Sequence, residues 1–287
     1  MPISRIRIFI VLLFGISVAS FASIIIRITP APSPMIAAGR MLFTSIILTP
    51  FFIKNLQSHR KELTPARWRW ALLAGIFLAA HFILWIESLK HTTVVSSVVL
   101  VAMNPIFVAL IAPPLLKERL SLRGWLAILI AFLGATLIAG PTLKSATLTS
   151  GNFLSLGGAL CAACYVILGR KLRAGLSLLN YIYPVYTFAA LFLLIFALVS
   201  HTPLLGYHPK TYLLVLLLAI GPQIIGHTSF NWALKFLPAP VVAMSILGEP
   251  IGTTILSALL LNQPPTILEL AGGLLIGTGI YLVASKP

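Results

Sequence analysis

Glu249 and Pro250 stand together in the run Ser245-Ile-Leu-Gly-Glu-Pro-Ile-Gly252, a stretch otherwise apolar enough to lie in a bilayer. Ionisable groups in hydrocarbon are costly and face a cavity or a partner, and this chain has only five acidic residues to place. Asn104-Pro105 repeats the arrangement earlier in the sequence. Proline removes the backbone bond to the carbonyl four residues back, so Pro250 frees that of Ile246 and Pro105 that of Val101. A carboxylate, an amide and two freed carbonyls form a surface for recognising a polar solute, with Pro105 and Pro250 as the expected hinges.

Spacing recruits further residues. Ser245, Glu249, Thr253 and Ser257 recur every four positions, as do Gln223, His227 and Asn231, which would give two helices one polar stripe each. His81, Phe82 and Trp85 share a face, and Gly226, His227 and Phe230 form the corresponding turn later in the chain. Tyr165 extends the aromatic set. Serine and threonine often only back-bond to the preceding turn, so the glutamate and two histidines carry the argument. The expected substrate-binding residues are His81, Phe82, Trp85, Asn104, Tyr165, Gln223, His227, Phe230, Ser245 and Glu249. Arg40 lies about 9 Å inside a span by helix rise and is expected to snorkel outward or to neutralise a carboxylate. Glu87 sits near a helix end and needs no role. Lys117-Glu118-Arg119 is expected to be a topology signal with a local ion pair. Cys161-x-x-Cys164 has no second cysteine pair or adjacent histidine, so it is read as a packing face and not as a metal or redox site. No metal, cofactor or catalytic residue is expected.

The elements that position these residues follow from composition. Of 287 residues, 59% are hydrophobic and 9% charged, with mean hydropathy +1.04, which describes an integral membrane protein and no sizeable soluble domain. Apolar windows long enough to cross about 30 Å of hydrocarbon fall at 6–26, 34–53, 70–89, 94–116, 122–140, 152–169, 178–199, 212–232, 241–261 and 267–284. The first is too long for a signal-peptide core and is followed at once by others, so it counts as a span. The net charge of +15 would suit nucleic acid, but its distribution gives a simpler reading. Fifteen lysines and arginines fall in segments on the side of the N-terminus, against Arg27, Lys90, Lys144 and Lys210 on the other. That is the positive-inside pattern, with both termini cytoplasmic.

Aligning Asn104-Pro105-Ile106 with Glu249-Pro250-Ile251 sets an offset of 145 residues that also pairs Leu89-Lys90 with Leu234-Lys235 and Gly134 with Gly279. A shift of one residue sets Phe21 beside Tyr165 and Arg27 beside Lys171. Each half holds five spans, an odd number, so equivalent helices run in opposite senses. The expected fold is all-α integral membrane, ten transmembrane helices as two inverted five-helix repeats around a central cavity, with repeats at 1–144 and 145–287. Secondary transporters are built this way, with substrate sites near the midplane. Glu249 lies about 12 Å and Asn104 about 15 Å into their spans from opposite faces, so the two meet at one depth. Glycines 124, 134, 272, 273, 277 and 279 mark the fifth and tenth spans as scaffold, with Gly273-x-x-x-Gly277 as a packing motif.

Asn104-Pro105, the following Leu116-Lys117-Glu118-Arg119-Leu120-Ser121 and the glycines after it, in a five-plus-five inverted repeat, resemble the drug/metabolite transporter superfamily, EamA-like group. The resemblance covers the whole chain, although Asn262-Gln263-Pro264 departs from the glutamate common there. It implies a cavity bordered by the first, third, fourth, sixth, eighth and ninth spans, and it is nearest to exporters of aromatic amino acids. The resulting expectation is a multi-pass carrier of the inner (cytoplasmic) membrane exporting small organic solutes, amino acids foremost, by alternating access. Its partners are the solute and the lipid bilayer, without nucleic acid. A proton is the candidate coupling ion; the oligomeric state is not written in the sequence, and a monomer is compatible with it. The rival readings are a proton-coupled efflux pump for organic cations and, behind it, a membrane-embedded transferase; the absence of any aspartate removes the acidic metal–diphosphate motifs such an enzyme would use.

Overall fold

A computed structural model describes residues 4–92, 94–143, 150–261 and 265–284. The expected boundary at residues 144 and 145, Lys144, the Asn262-Gln263-Pro264 segment, Lys286 and the Ser257 side chain lie outside the described residues. The chain folds into α1 (Arg5–Ala19), α2 (Phe21–Ile28), α3 (Ser33–His59), α4 (Pro65–His91), α5 (Val94–Val101), α6 (Asn104–Leu116) and α7 (Leu122–Leu143). The second half comprises α8 (Ser150–Arg173), α9 (Leu178–Val199), α10 (Pro209–Leu218), α11 (Thr228–Ala233), α12 (Ala239–Ile246), α13 (Gly248–Leu261) and α14 (Ile267–Ala284). A 3₁₀ turn, Arg60–Glu62, follows α3, and a π-helix, Ala219–His227, joins α10 to α11. No strand occurs among the described residues.

Eight of the resulting helical runs are long and apolar enough to cross a membrane, and two shorter apolar helices, Leu122–Leu137 and Ile267–Val283, complete ten. Proline starts many of them. Residues at N1 or N2 lack an intrahelical acceptor for their N–H, so a proline there loses nothing and pre-sets the helical φ; α3, α4, α6, α10 and α12 all begin so. Thr64 adds a side-chain cap on the Arg67 N–H at 3.4 Å. Leu122, Leu259 and Leu274 are 78%, 72% and 75% exposed, the outer surface that lipid covers.

The fourth and ninth spans are each interrupted by a tight turn just before the proline, with Met103 and Leu247 keeping right-handed dihedrals. α5 ends at Val101 and α12 ends 145 residues later at Ile246, while α6 starts at Asn104 and α13 at Gly248. Pro105 and Pro250 were expected inside bent helices; each instead stands in the first turn of the second piece. Short turn bonds, Met103 N–H to Leu100 and Leu247 N–H to Met244, close the breaks. The two polar residues beside the prolines therefore sit at N-terminal ends of half-helices, where the helix dipole is positive.

Packing follows the inverted duplication. The third span, α4, lies along the sixth, α8, and correspondingly α1 lies along the π-helix and α11 of the eighth; α3 pairs with its own equivalent α9, and α7 with α14. The α7–α14 seam depends on repeat-related glycines: a Cβ at Gly134 would stand 2.5 Å from the Gly272 carbonyl oxygen, and one at Gly279 would stand 2.7 Å from that of Ala127. Gly273-x-x-x-Gly277 is not the packing motif, since nothing lies within 4 Å of a Cβ at Gly277. Cys161 and Cys164 are unbridged and half-buried.

Candidate functional site

A narrow central cavity lies among the helices. Its walls come from six spans: Ala19 and Ala22 of the first, His81 and Trp85 of the third, Asn104 of the fourth, Tyr165 of the sixth, His227, Phe230 and Asn231 of the eighth, and Glu249 of the ninth. Seven of the ten residues expected from sequence are thereby brought together: His81, Trp85, Asn104, Tyr165, His227, Phe230 and Glu249.

The rings form one connected wall. His81 stacks on Trp85 with centroids 5.9 Å apart and planes 8° apart, and lies 6.5 Å from His227. His227 meets Phe230 at 5.9 Å and Phe82 at 5.4 Å, both edge to face. His81 Nδ1 lies 3.0 Å from the Gly158 carbonyl oxygen; a carbonyl only accepts, so Nδ1 carries the hydrogen and the imidazole is held in one orientation. Across the cavity, Asn231 Nδ2 donates to the hydroxyls of Tyr165 at 2.5 Å and Tyr186 at 2.9 Å. Two buried wall atoms, Trp85 Nε1 and Asn104 Oδ1, have no hydrogen-bond partner among the described residues. The site thus offers a donor, an acceptor and a carboxylate between aromatic faces.

The remaining three expected residues do not line it. Ser245 Oγ donates back to the Val241 carbonyl at 3.0 Å, the local bond such residues usually make, and the break at Leu247 splits the stripe that was to join it to Glu249. Thr253 turns to the Ser20 carbonyl at 3.4 Å. Phe82 is fully buried behind the wall. Gln223 is fully buried as well, its Oε1 accepting from Arg40 Nε at 3.0 Å. The π-helix causes this: each i→i+5 turn holds more residues than an α-turn, so Gln223 and His227, four apart, no longer share a face; Gln223 turns to Arg40 while His227 and, beyond the π-helix, Asn231 line the cavity. Arg40 corrects a second expectation. It does not snorkel; it is 0% exposed, with its guanidinium carbon 4.2 Å from the Phe82 ring centre.

Sequence comparison now adds to this geometry. The profile of the EamA-like transporter family matches residues 6–140 and 149–285. The chain belongs to that family. Among relatives of the EamA-like chain, an uncharacterized transporter of Archaeoglobus fulgidus is 26% identical over 253 residues, 84% of this chain and 85% of that protein. A riboflavin transporter of Vibrio cholerae is 29% identical over 160 residues, 55% of this chain and 51% of that protein. A solved crystal structure matches with TM-score 0.78 over 97% of this chain and 96% of that one, at 16% identity, which is a likeness of fold. The chain is thus a transporter of the drug/metabolite transporter superfamily.

The EamA-like chain also carries contacts that sequence reading missed. Lys117-Glu118-Arg119 is not a self-contained ion pair. Lys117 takes a left-handed conformation, φ 58°, and ends α6, turning Glu118 back beneath the bundle, where Oε1 accepts from Arg170 Nε at 2.6 Å and Oε2 from the Ala239 N–H at 2.9 Å. Arg27, expected to correspond to Lys171, makes the same bond as Arg170: Arg27 Nη1 to the Leu89 carbonyl at 2.6 Å, Arg170 Nη1 to that of Leu234 at 2.7 Å. Lys171 instead covers the Trp70 ring at 3.7 Å. The repeated Leu89 and Leu234 were a usable signal for these clasps; the partner arginines were not, because their offset is 143 rather than 145.

Proposed function

We propose that this transporter exports aromatic or hydrophobic amino acids and related small solutes across the inner membrane by alternating access, with the face rich in lysine and arginine in the cytoplasm. The repeats 1–144 and 145–287 move against one another about the breaks before Pro105 and Pro250. The observation that carries this reading is Glu249 in the first turn of a half-helix, on a cavity otherwise walled by Trp85, His81, Tyr165 and Phe230. The carboxylate faces the ammonium of the solute, the rings hold its side chain, and Trp85 Nε1 and Asn104 Oδ1 supply directed polar contacts.

Counterflow of phenylalanine and tryptophan in proteoliposomes, with and without a pH gradient, tests it. Glu249→Gln and Trp85→Ala are each expected to cut flux at least tenfold while still inserting. Wild-type flux in both variants defeats the site. Riboflavin and a quaternary ammonium dye belong in the same screen. Transport of the dye lost in Glu249→Gln, with no amino acid flux in the wild type, moves the reading to organic-cation efflux, and a flux stimulated by the gradient identifies the proton as coupling ion.

A further inference from the structure

Arg40 is the deepest cation among the described residues, and its guanidinium is only partly used. Nε bonds Gln223 Oε1 at 3.0 Å and the plane rests on Phe82, but Nη1 and Nη2 have no hydrogen-bond partner among the described residues, nor has the Nε2 of Gln223. A buried charge is stable only when paired and hydrogen-bonded; Glu249 acts on this one only from beyond ion-pair distance, so the bare Nη edge favours a nearer anion. The protein's own carboxylates are nearly all committed elsewhere. Of the five acids, Glu62 accepts from the Ser177 N–H and Asn180, Glu87 faces His91, Glu118 holds Arg170 and Glu269 caps its own helix through Thr266. Glu249 remains, and among the described residues it forms no ion pair with Arg40. Arg40 thus lies buried at Gln223 and Phe82 while Glu249 stands on the cavity, beyond ion-pair distance although within range of its charge.

We propose that Arg40 and Gln223 form an anion subsite that receives the carboxylate of the transported solute. The outer edge of a guanidinium presents two parallel N–H groups that match the two oxygens of a carboxylate, and Gln223 Nε2 adds a donor beside them. A single fixed positive charge suits a monoanion such as a carboxylate better than a phosphate dianion. The π-helix makes the subsite, since it turns Gln223 onto Arg40 while leaving His227 on the cavity. In combination with the reading above, on which this assignment of Glu249 rests, the solute spans the two charges: carboxylate toward Arg40, ammonium toward Glu249, side chain against the rings.

Binding to purified protein in nanodiscs, followed by tryptophan fluorescence and thermal shift, tests the proposal with four probes: phenylacetate, phenethylamine, phenylalanine and inorganic phosphate. Wild type is expected to bind phenylacetate; Arg40→Gln should weaken phenylacetate and phenylalanine at least tenfold and leave phenethylamine unchanged. Gln223→Glu places a carboxylate against the guanidinium, and is expected to raise Tm while abolishing phenylacetate binding, a result that decides the matter even if Arg40→Gln does not fold. Phenylacetate binding that survives in either variant, or no phenylacetate binding in the wild type, overturns the subsite, as does phosphate binding in place of phenylacetate. If phenylacetate binds through Arg40 while phenylalanine neither binds nor moves, the subsite stands and the amino acid reading fails. If Arg40→Gln binds and carries phenylalanine as the wild type does, the reading stands and the subsite fails.

Discussion

The two ends of the bundle are built from one bond and differ by one acid. On the face with few basic residues, Arg27 at the end of the first span holds the carbonyl of Leu89 at the end of the third. On the basic face, Arg170 at the end of the sixth span holds the carbonyl of Leu234 at the end of the eighth. Inverted duplication leaves this symmetry: what closes one end of the first half closes the opposite end of the second. Only on the basic face does a carboxylate join the clasp itself. Glu118 joins Arg170 to the first N–H of α12, so three charge-assisted contacts tie the loop after α6, the end of α8, the end of the eighth span and the start of the ninth. At the other end Lys90 reaches the Ala31 carbonyl at 3.2 Å, and Glu87, paired with His91 in its own helix, faces Ser33 at the start of α3 without touching the Arg27 clasp. Charge-assisted bonds are roughly twice as strong as neutral ones, and with side chains 24% and 18% exposed the Arg170–Glu118 pair is only partly screened. The basic face is therefore the tighter closure, and in the proposed alternating-access cycle opening it is the more costly half.

Removing the shared arginine on the basic face should have the largest effect. Arg170→Ala deletes the bonds to both Glu118 and Leu234, and leaves a partly buried Glu118 with only the Ala239 N–H. At ~1–3 kcal/mol for each bond to a charged group, the population open to the basic face should rise more than tenfold. The reporter is Val242→Cys, a cavity position near the start of α12, in a background with Cys161 and Cys164 replaced by serine. Its labelling by a thiol reagent added from the basic face should accelerate accordingly. An unchanged rate would mean that Arg170 holds nothing shut.

Glu118→Gln sharpens the same contrast with a smaller change. It keeps an acceptor for Arg170 and Ala239 but removes the charge, which after allowance for screening costs about 1 kcal/mol, a shift of about fivefold in the same labelling rate. Salt should reproduce part of it: raising ionic strength loosens the Glu118–Arg170 pair and should speed labelling in the wild type but not in Glu118→Gln. Equal salt response in both would show that the pair contributes no closure.

The backbone scheme was legible in sequence where hydrophobic length and repeat spacing decide it: ten windows, a duplicated bundle, and Asn104 and Glu249 on one cavity. What escaped was side-chain direction. Ser245 and Glu249 share a stripe only if the ninth span is continuous, and Pro250 starts a new helix instead of bending an old one. Gln223 and His227 share a face only at 3.6 residues per turn, and the π-helix sets them apart. Arg40 was read by distance to the nearest surface, whereas Gln223 and Phe82 draw it inward. Glu118 was read by its neighbours in sequence, yet the left-handed Lys117 redirects it to α8. Each miss arises where a local backbone irregularity, invisible to a periodicity count, chooses the face.

The opposite end provides the smallest effect and the sharpest control. Arg27→Ala removes one bond from a charged donor to a neutral carbonyl, and the Leu89 carbonyl it abandons lies at a helix end where the backbone bonds of the last turn are already unmade. After allowance for screening the loss is about 0.7 kcal/mol, and it should favour opening away from the basic face, so labelling of Val242→Cys from the basic face should slow about threefold rather than accelerate. The sign matters more than the size. If Arg27 and Arg170 are repeat-related clasps on opposite faces of one rocking unit, their removal must push the equilibrium in opposite directions, and the double variant should fall between the two singles. Acceleration in both singles would mean that each arginine merely steadies the bundle, and the two-ended closure would have to be abandoned.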